Sequence, residues 1–207
     1  MVAMPNPPIS TRLRKDDLPG SPIRQIMEFA DRENIISMGL DPDDVISFAG
    51  GWVNHMAPDE LRSAYARIAS DHGTFHAAGA YSPTAGLPRL RELLVAMDQE
   101  LYATEGLEVG NLLIGANSTQ LTYCLFLALL DPGDQVLLFD PTYANYPPQL
   151  AFCHNGVKIL TLPVLDVEDW SYFADTGVIL ERLEEILKRD KPKLLLFSSP
   201  DNPTGGI

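Results

Sequence analysis

Two hydrophobic periods divide this chain. Short apolar runs at Val45 to Gly51, Leu112 to Ile114, Gln135 to Phe139, Val157 to Leu162 and Leu194 to Phe197 read as strands with few polar alternations. Longer stretches carry apolar residues at helical spacing. A helix is expected from Ser21-Pro22, with Ile23, Ile26, Met27 and Ala30 on one face, and another from Pro58-Asp59-Glu60, with Leu61, Ala64, Tyr65 and Ile68 on one side. Leu87 to Leu101 is amphipathic through Leu90, Leu93, Leu94 and Met97. Further helices are expected over Ser118 to Leu130, Tyr143 to Phe152 and Ile179 to Lys188. Fully apolar strands alternating with helices predict an α/β fold, a parallel sheet covered on both faces.

The first 20 residues break this pattern. Pro5, Pro7, Pro8 and Pro19 punctuate a polar stretch that fits an extended arm. The segment Met1 to Ile9 lacks the basic start and apolar core of a secretory signal, and no apolar run is long enough to span a bilayer, so the expected compartment is the cytoplasm. With 207 residues, 45% of them hydrophobic, the chain is long enough for one sizeable core, or for one domain and part of another.

Charge narrows the partners. Twenty-eight acids against fifteen bases give a formal net charge of -13, which argues against a nucleic-acid or anionic-membrane surface while leaving room for a local phosphate site. Cys124 and Cys153 lie in apolar sequence without a Cys-x-x-Cys partner and are expected to be buried free thiols. His72 and His76 have helical spacing, but Gly73 lies between them and no carboxylate motif accompanies them, so a structural or surface role is expected ahead of metal binding.

In an open parallel sheet, ligands collect at the carboxyl ends of strands and at the helix N-termini that follow. Three loops fall in such places. Gly115 to Gln120 offers small residues and hydroxyls to a phosphate, although Ser118 or Thr119 alone is also an ordinary helix cap. Asp140 to Pro147 offers an aromatic face on which a planar ring could stack, a place where an isolated tyrosine also serves for packing. Ser198 to Gly206 ends in Asn202-Pro203-Thr204-Gly205, with Asn202 between Pro200 and Pro203, whose restriction of the backbone can hold its amide in one direction.

These motifs, in this order, resemble the class I/II, aspartate-aminotransferase-like family of fold-type-I pyridoxal-phosphate (PLP) enzymes. The resemblance covers Ser21 to the last residue. Ile46-Ser47-Phe48-Ala49-Gly50-Gly51 is similar to the family's Phe-x-Gly-Gly segment, which implies that Gly50 and Gly51 lie over the substrate carboxylate. Tyr81-Ser82-Pro83-x-x-Gly86-x-x-x-Leu90-Arg91 is similar to a motif whose Tyr reaches the phosphate bound by the neighbouring subunit. The resemblance further implies that Asn117, Ser118 and Thr119 form the phosphate cup, that Tyr143 stacks on the pyridine ring and that Asn202 binds the ring hydroxyl. Asn117 occupies a place where Gly is common, and Trp52 to Pro58 departs from the family's continuation after the glycine pair.

The implied fold is a three-layer α/β/α large domain with a mainly parallel sheet, incomplete here, with residues 1–20 as an N-terminal arm, 21–57 as a small-domain or linker segment and 58–207 as the first part of the PLP-binding domain. The implied activity is transfer of an amino group between an amino acid and a 2-oxo acid, in amino acid metabolism, by a homodimer. Alternatives are a fold-type-I lyase or synthase, a non-catalytic degenerate homologue and a regulator's effector domain. The family's Schiff-base lysine, its acid at the pyridine nitrogen and its carboxylate-binding Arg follow the Asn-Pro-x-Gly turn. None of the five lysines Lys15, Lys158, Lys188, Lys191 and Lys193 has the family's lysine setting. A truncated, inactive N-terminal portion of a longer enzyme is therefore expected.

Overall fold

The computed structural model describes residues 22–48, 51, 55–153, 156–173 and 175–206; the expected arm, residues 1–20, lies outside them. Two compact units are present, one made of residues 1–50 with 121–207 and the other of residues 51–120.

The first unit is built on a parallel three-stranded sheet, β1 (Gln135–Asp140), β2 (Lys158–Pro163) and β3 (Leu194–Leu196), in the order β2-β1-β3. Central β1 sets Leu137 opposite Leu160 of β2 and Leu195 of β3. Because side chains alternate along a strand, its apolar run serves two cores. Val136 and Leu138 are fully buried with Phe126, Leu130, Leu150 and Cys153, contributed by α6 (Ser118–Leu129), the residue after it and α7 (Tyr146–Cys153). Leu137 and Leu162 are fully buried on the opposite face under Ile179, Leu183 and Ile186 of α8 (Thr176–Arg189). This is the expected α/β arrangement, helices on both faces of a parallel sheet. The same unit contains α1 (Pro22–Phe29) and α2 (Arg32–Ser37), a short helix that the sequence reading missed.

The second unit holds α3 (Asp59–Ser70), α4 (His72–Ala78) and α5 (Pro88–Tyr102). Gly73 does not prevent α4, because the Asp71 carboxylate caps it by accepting the Thr74 N–H at 2.7 Å. Among the described residues no three His, Cys, Asp or Glu side chains group as metal ligands, and no helix is long and apolar enough to cross a membrane.

Several expected elements differ. Leu112 to Ile114 is extended but is not a strand, since its backbone bonds go elsewhere: Ile114 N–H donates to Ala85 O, and Arg91 donates to the Leu112 carbonyl. Val45 to Phe48 is likewise without a ladder, while residues 49–50 lie outside the described ones. Helix α7 starts at Tyr146 rather than Tyr143, with Pro147 and Pro148 in the first turn, where a missing N–H costs nothing. Cys153 is buried as expected, but Cys124 is exposed, because the inward face of α6 runs through Phe126.

Candidate functional site

The carboxyl ends of β1 and β3 lie side by side, and Phe139 and Phe197 stack there with ring centroids 5.1 Å apart and planes 19° from parallel. Beyond Phe139 the chain turns through Pro141 and Thr142 to Tyr143. Half-buried Tyr143 accepts a hydrogen bond at its phenol oxygen from Asn145 Nδ2 at 2.7 Å and meets Tyr146 edge to face at 5.2 Å. Burial first, then Tyr143 and the Asp201 carboxylate, push the Tyr146 phenol above its usual range. Asp201 belongs to the loop after β3, so the structure brings the loops that carry Tyr143 and Asn202 together at this edge.

The loop after β3 closes on itself. Asp201 N–H donates to Gly206 O at 2.7 Å, and Gly205 N–H donates to Asp201 O at 2.8 Å. Ser198 Oγ accepts the Asn202 N–H at 3.2 Å, and Thr204 Oγ donates to Asp201 Oδ2 at 2.6 Å. Asn202 is exposed at the tip of this turn, and its carboxamide has no hydrogen-bond partner among the described residues. The peptide bonds before Pro141, Pro200 and Pro203 are cis. Beside the turn, a pocket of about 350 Å³ opens between the sheet and α8, lined by Phe139, Val164, Tyr172, Phe197 and Ser198 among others.

Five of the expected site residues belong to the second unit. Asn117 is the cap of α6: its Oδ1 accepts the Gln120 N–H at 2.9 Å, while Gln120 Oε1 accepts the Ala116 N–H at 2.8 Å. Asn117, rather than Ser118 or Thr119, therefore caps α6 and has its oxygen occupied, while the Gln120 side chain reaches back one residue further, to Ala116. An Asn-x-x-Gln spacing ahead of an apolar run carried that signal. Ser118 and Thr119 lie exposed in the first turn of α6, where the helix dipole favours an anion. Tyr81 is fully exposed at the start of a loop whose Gly86 N–H donates to Pro83 O at 2.8 Å. Arg91 Nη1 donates to Val109 O at 3.1 Å, fixing α5 to the segment that leads toward Asn117. Gly51 is exposed, and Gly50 lies outside the described residues.

Of the lysines, Lys15 lies outside the described residues, and three others have settings unlike that of a nucleophilic amine. Lys188 pairs with Glu184 at 2.9 Å, and Lys158 is exposed at the start of β2. Lys193 Nζ lies 2.7 Å from Asp134 Oδ2, and that hydrogen bond holds its ammonium above the usual lysine range, whereas a nucleophilic lysine needs its pKa lowered.

These donors fit the chemistry of PLP. An exposed carboxamide suits the ring hydroxyl, a tyrosine ring offers a stacking face, and a helix N-terminus bearing two hydroxyl residues suits the phosphate. Sequence reasoning missed Tyr172, whose hydroxyl hydrogen-bonds Thr204 Oγ inside the Asn202 turn. It sits where apolar and acidic residues mix irregularly, from Leu165 to Asp175, with no helical or strand period, so no pattern marked it.

A family model described as Aminotransferase class I and II matches residues 43–207. The aspartate aminotransferase of Pyrococcus horikoshii is 29% identical over 186 residues, covering 89% of this chain and 41% of that protein. A probable aspartate aminotransferase of Streptomyces griseus is 33% identical over 165 residues, covering 79% of this chain and 70% of that protein. Among solved structures, the aspartate aminotransferase of Thermotoga maritima superposes with a TM-score of 0.70 at 25% identity, covering 95% of this chain and 46% of that one. That of Thermus thermophilus with maleate gives 0.74 at 23% identity, with coverage of 95% and 46%. The chain thus spans under half the length of the Pyrococcus protein and of both solved structures.

Proposed function

Because this chain belongs to the class I and II aminotransferase family, we propose that it supplies the first part of the PLP site of an enzyme that moves an amino group between an amino acid and a 2-oxo acid. The observation that carries this reading is the closed Ser198 to Gly206 turn, which leaves the Asn202 carboxamide exposed next to the loop of Tyr143. In this reading Asn202 donates to the ring oxygen and Tyr143 packs on the ring. Ser118, Thr119 and the first turn of α6 hold the phosphate, with Asn117 shaping that turn as its cap. Tyr81 reaches the phosphate of the neighbouring subunit in a homodimer, and the backbone at Gly50 and Gly51 meets the substrate carboxylate. PLP, when bound, supplies the electron sink. The proton-moving lysine comes from outside these residues. Residues 1–20, 21–57 and 58–207 are then arm, small-domain segment and first part of the cofactor-binding domain. Aspartate, which names several of the relatives, is the first amino donor to try.

The test is turnover of aspartate by the full-length polypeptide with and without a 2-oxo acid. Acceptor-dependent turnover is expected, and Asn202→Ala should weaken PLP binding about tenfold, the loss of one hydrogen bond to a charged oxygen. Turnover that needs no acceptor would point to a lyase and sink the transferase reading. For residues 1–207 alone, PLP fixed to a lysine by borohydride would contradict the placement of the reactive amine elsewhere.

A further inference from the structure

The Asn202 turn is tied to a second loop by a single directional hydrogen-bond chain. Thr204 Oγ has one proton, which it gives to Asp201 Oδ2 at 2.6 Å. Its two acceptor positions are then left for the Gly206 N–H, at 3.3 Å, and for the Tyr172 hydroxyl, which must be the donor of the Tyr172–Thr204 bond. The order is therefore Tyr172 O–H to Thr204 O–H to the Asp201 carboxylate, with the charge at the end setting the direction. The other carboxylate oxygen of Asp201 accepts from Ser198 Oγ at 3.4 Å, and Ser198 Oγ accepts the Asn202 N–H. Every link between Tyr172 and the Asn202 backbone is thus a hydrogen bond.

Tyr172 is itself anchored away from the turn. It pairs with Leu165 in an antiparallel bridge, and its loop is closed by Asp166 N–H to Ser171 O at 2.8 Å and Trp170 N–H to Asp166 O at 2.9 Å. Its ring also lies over Gly206: a Cβ there would come within 2.8 Å of Tyr172 Cε2, so the Gly205-Gly206 pair ends in the residue that lets the ring approach. Leu165 follows β2 and Asn202 follows β3, on opposite sides of β1. The chain is therefore a brace across the carboxyl edge of the sheet.

We infer that Tyr172, Thr204 and Asp201 are positioning residues that hold Asn202 aimed at the PLP ring hydroxyl, a role that rests on the reading of Asn202 as the ring-hydroxyl donor. A donor aimed at that oxygen favours whichever form of the cofactor carries more negative charge on it, the deprotonated form. Loosening the aim therefore raises the pH at which the visible absorbance of the bound cofactor titrates.

The experiment uses the full-length holoenzyme and its variants Y172F, T204V, T204S, N202A and Y172F/N202A. Each is titrated from pH 5 to 9 by visible absorbance, with thermal unfolding recorded in parallel. Y172F and T204V are expected to raise the midpoint by roughly half a pH unit and to weaken PLP binding about threefold, while T204S, which keeps the hydroxyl, restores the wild-type values. N202A should raise the midpoint at least as far, and Y172F should add nothing on that background, since residues acting through one hydrogen bond are not additive. A Y172F midpoint equal to wild type, or a Y172F shift that persists in full on N202A, overturns the brace even if unfolding temperatures fall. A wild-type protein that takes up no PLP overturns the cofactor reading and the brace together.

Discussion

Gly86 and Ile114 show what a single residue decides. Gly86 has a φ of +94°, a region L side chains rarely adopt, and a Cβ added there would meet the Ile114 side chain, with Ile114 Cβ at 2.6 Å. Ala85 O accepts the Ile114 N–H at 3.1 Å, so the loop after Tyr81 and the segment before Asn117 are held together at this point. Gly86→Ala is expected to destabilise the protein by about 2 kcal/mol or more, from backbone strain and overpacking, read as a lowered urea midpoint. A change within about 0.5 kcal/mol, the size of an ordinary surface substitution, would mean that the contact carries no weight. Gly86 was visible in the sequence as part of a motif, but its reason was not, because Ile114 lies 28 positions away and nothing in either local pattern refers to the other. Asn117 is the opposite case: its partner Gln120 is three residues on, and the cap was there to be read.

At the level of elements, agreement follows from whether a segment finds the partner its pattern implies. Gln135 to Asp140 and Leu194 to Leu196 become strands because each lies against another apolar run. Leu112 to Ile114 has the same composition and does not, because its backbone is satisfied by Ala85 and Arg91. Helix α8 begins three residues before its expected start, since Asp175 accepts the Gly177 N–H at 2.8 Å and caps a turn in which apolar periodicity has not yet begun. Removing that cap with Asp175→Ala should cost about 1 kcal/mol, measured by chemical denaturation. Asp175→Ser or Asp175→Asn, which can still accept the bond, should recover most of it. An Ala variant as stable as the parent would show that the packing of Ile179, Leu183 and Ile186 on the sheet holds α8 without the cap.

For the molecule as a whole, the face of the sheet covered by α6 and α7 gives stability a pH dependence. Cys153 is 1% exposed against Val136 and Leu138, and burial, with Cys124 adding to it, pushes its thiol above the usual cysteine range. Tyr146 shifts upward as well. For both groups the folded state keeps the proton to higher pH than the unfolded chain does, so stability falls as pH rises past the unfolded thiol value of about 8.5. The loss continues until the folded thiol titrates, at no more than about 1.4 kcal/mol per pH unit for one group, and Tyr146 adds to it above about pH 10. Urea midpoints should therefore drop between pH 8 and 10, and Cys153→Ala, though less stable throughout, should drop less over that interval. Equal slopes for variant and parent would assign the alkaline loss to other groups. The sequence by itself determined the parallel α/β class, the order of the main helices and strands and the loops that bear Ser118, Tyr143 and Asn202, because hydrophobic period and turn chemistry are local properties. Only the tertiary structure decided that Cys124 faces outward while Cys153 is buried, and that Tyr172 braces the Asn202 turn. Both depend on which residues far apart in the chain meet across the sheet, and for them local spacing carries no record.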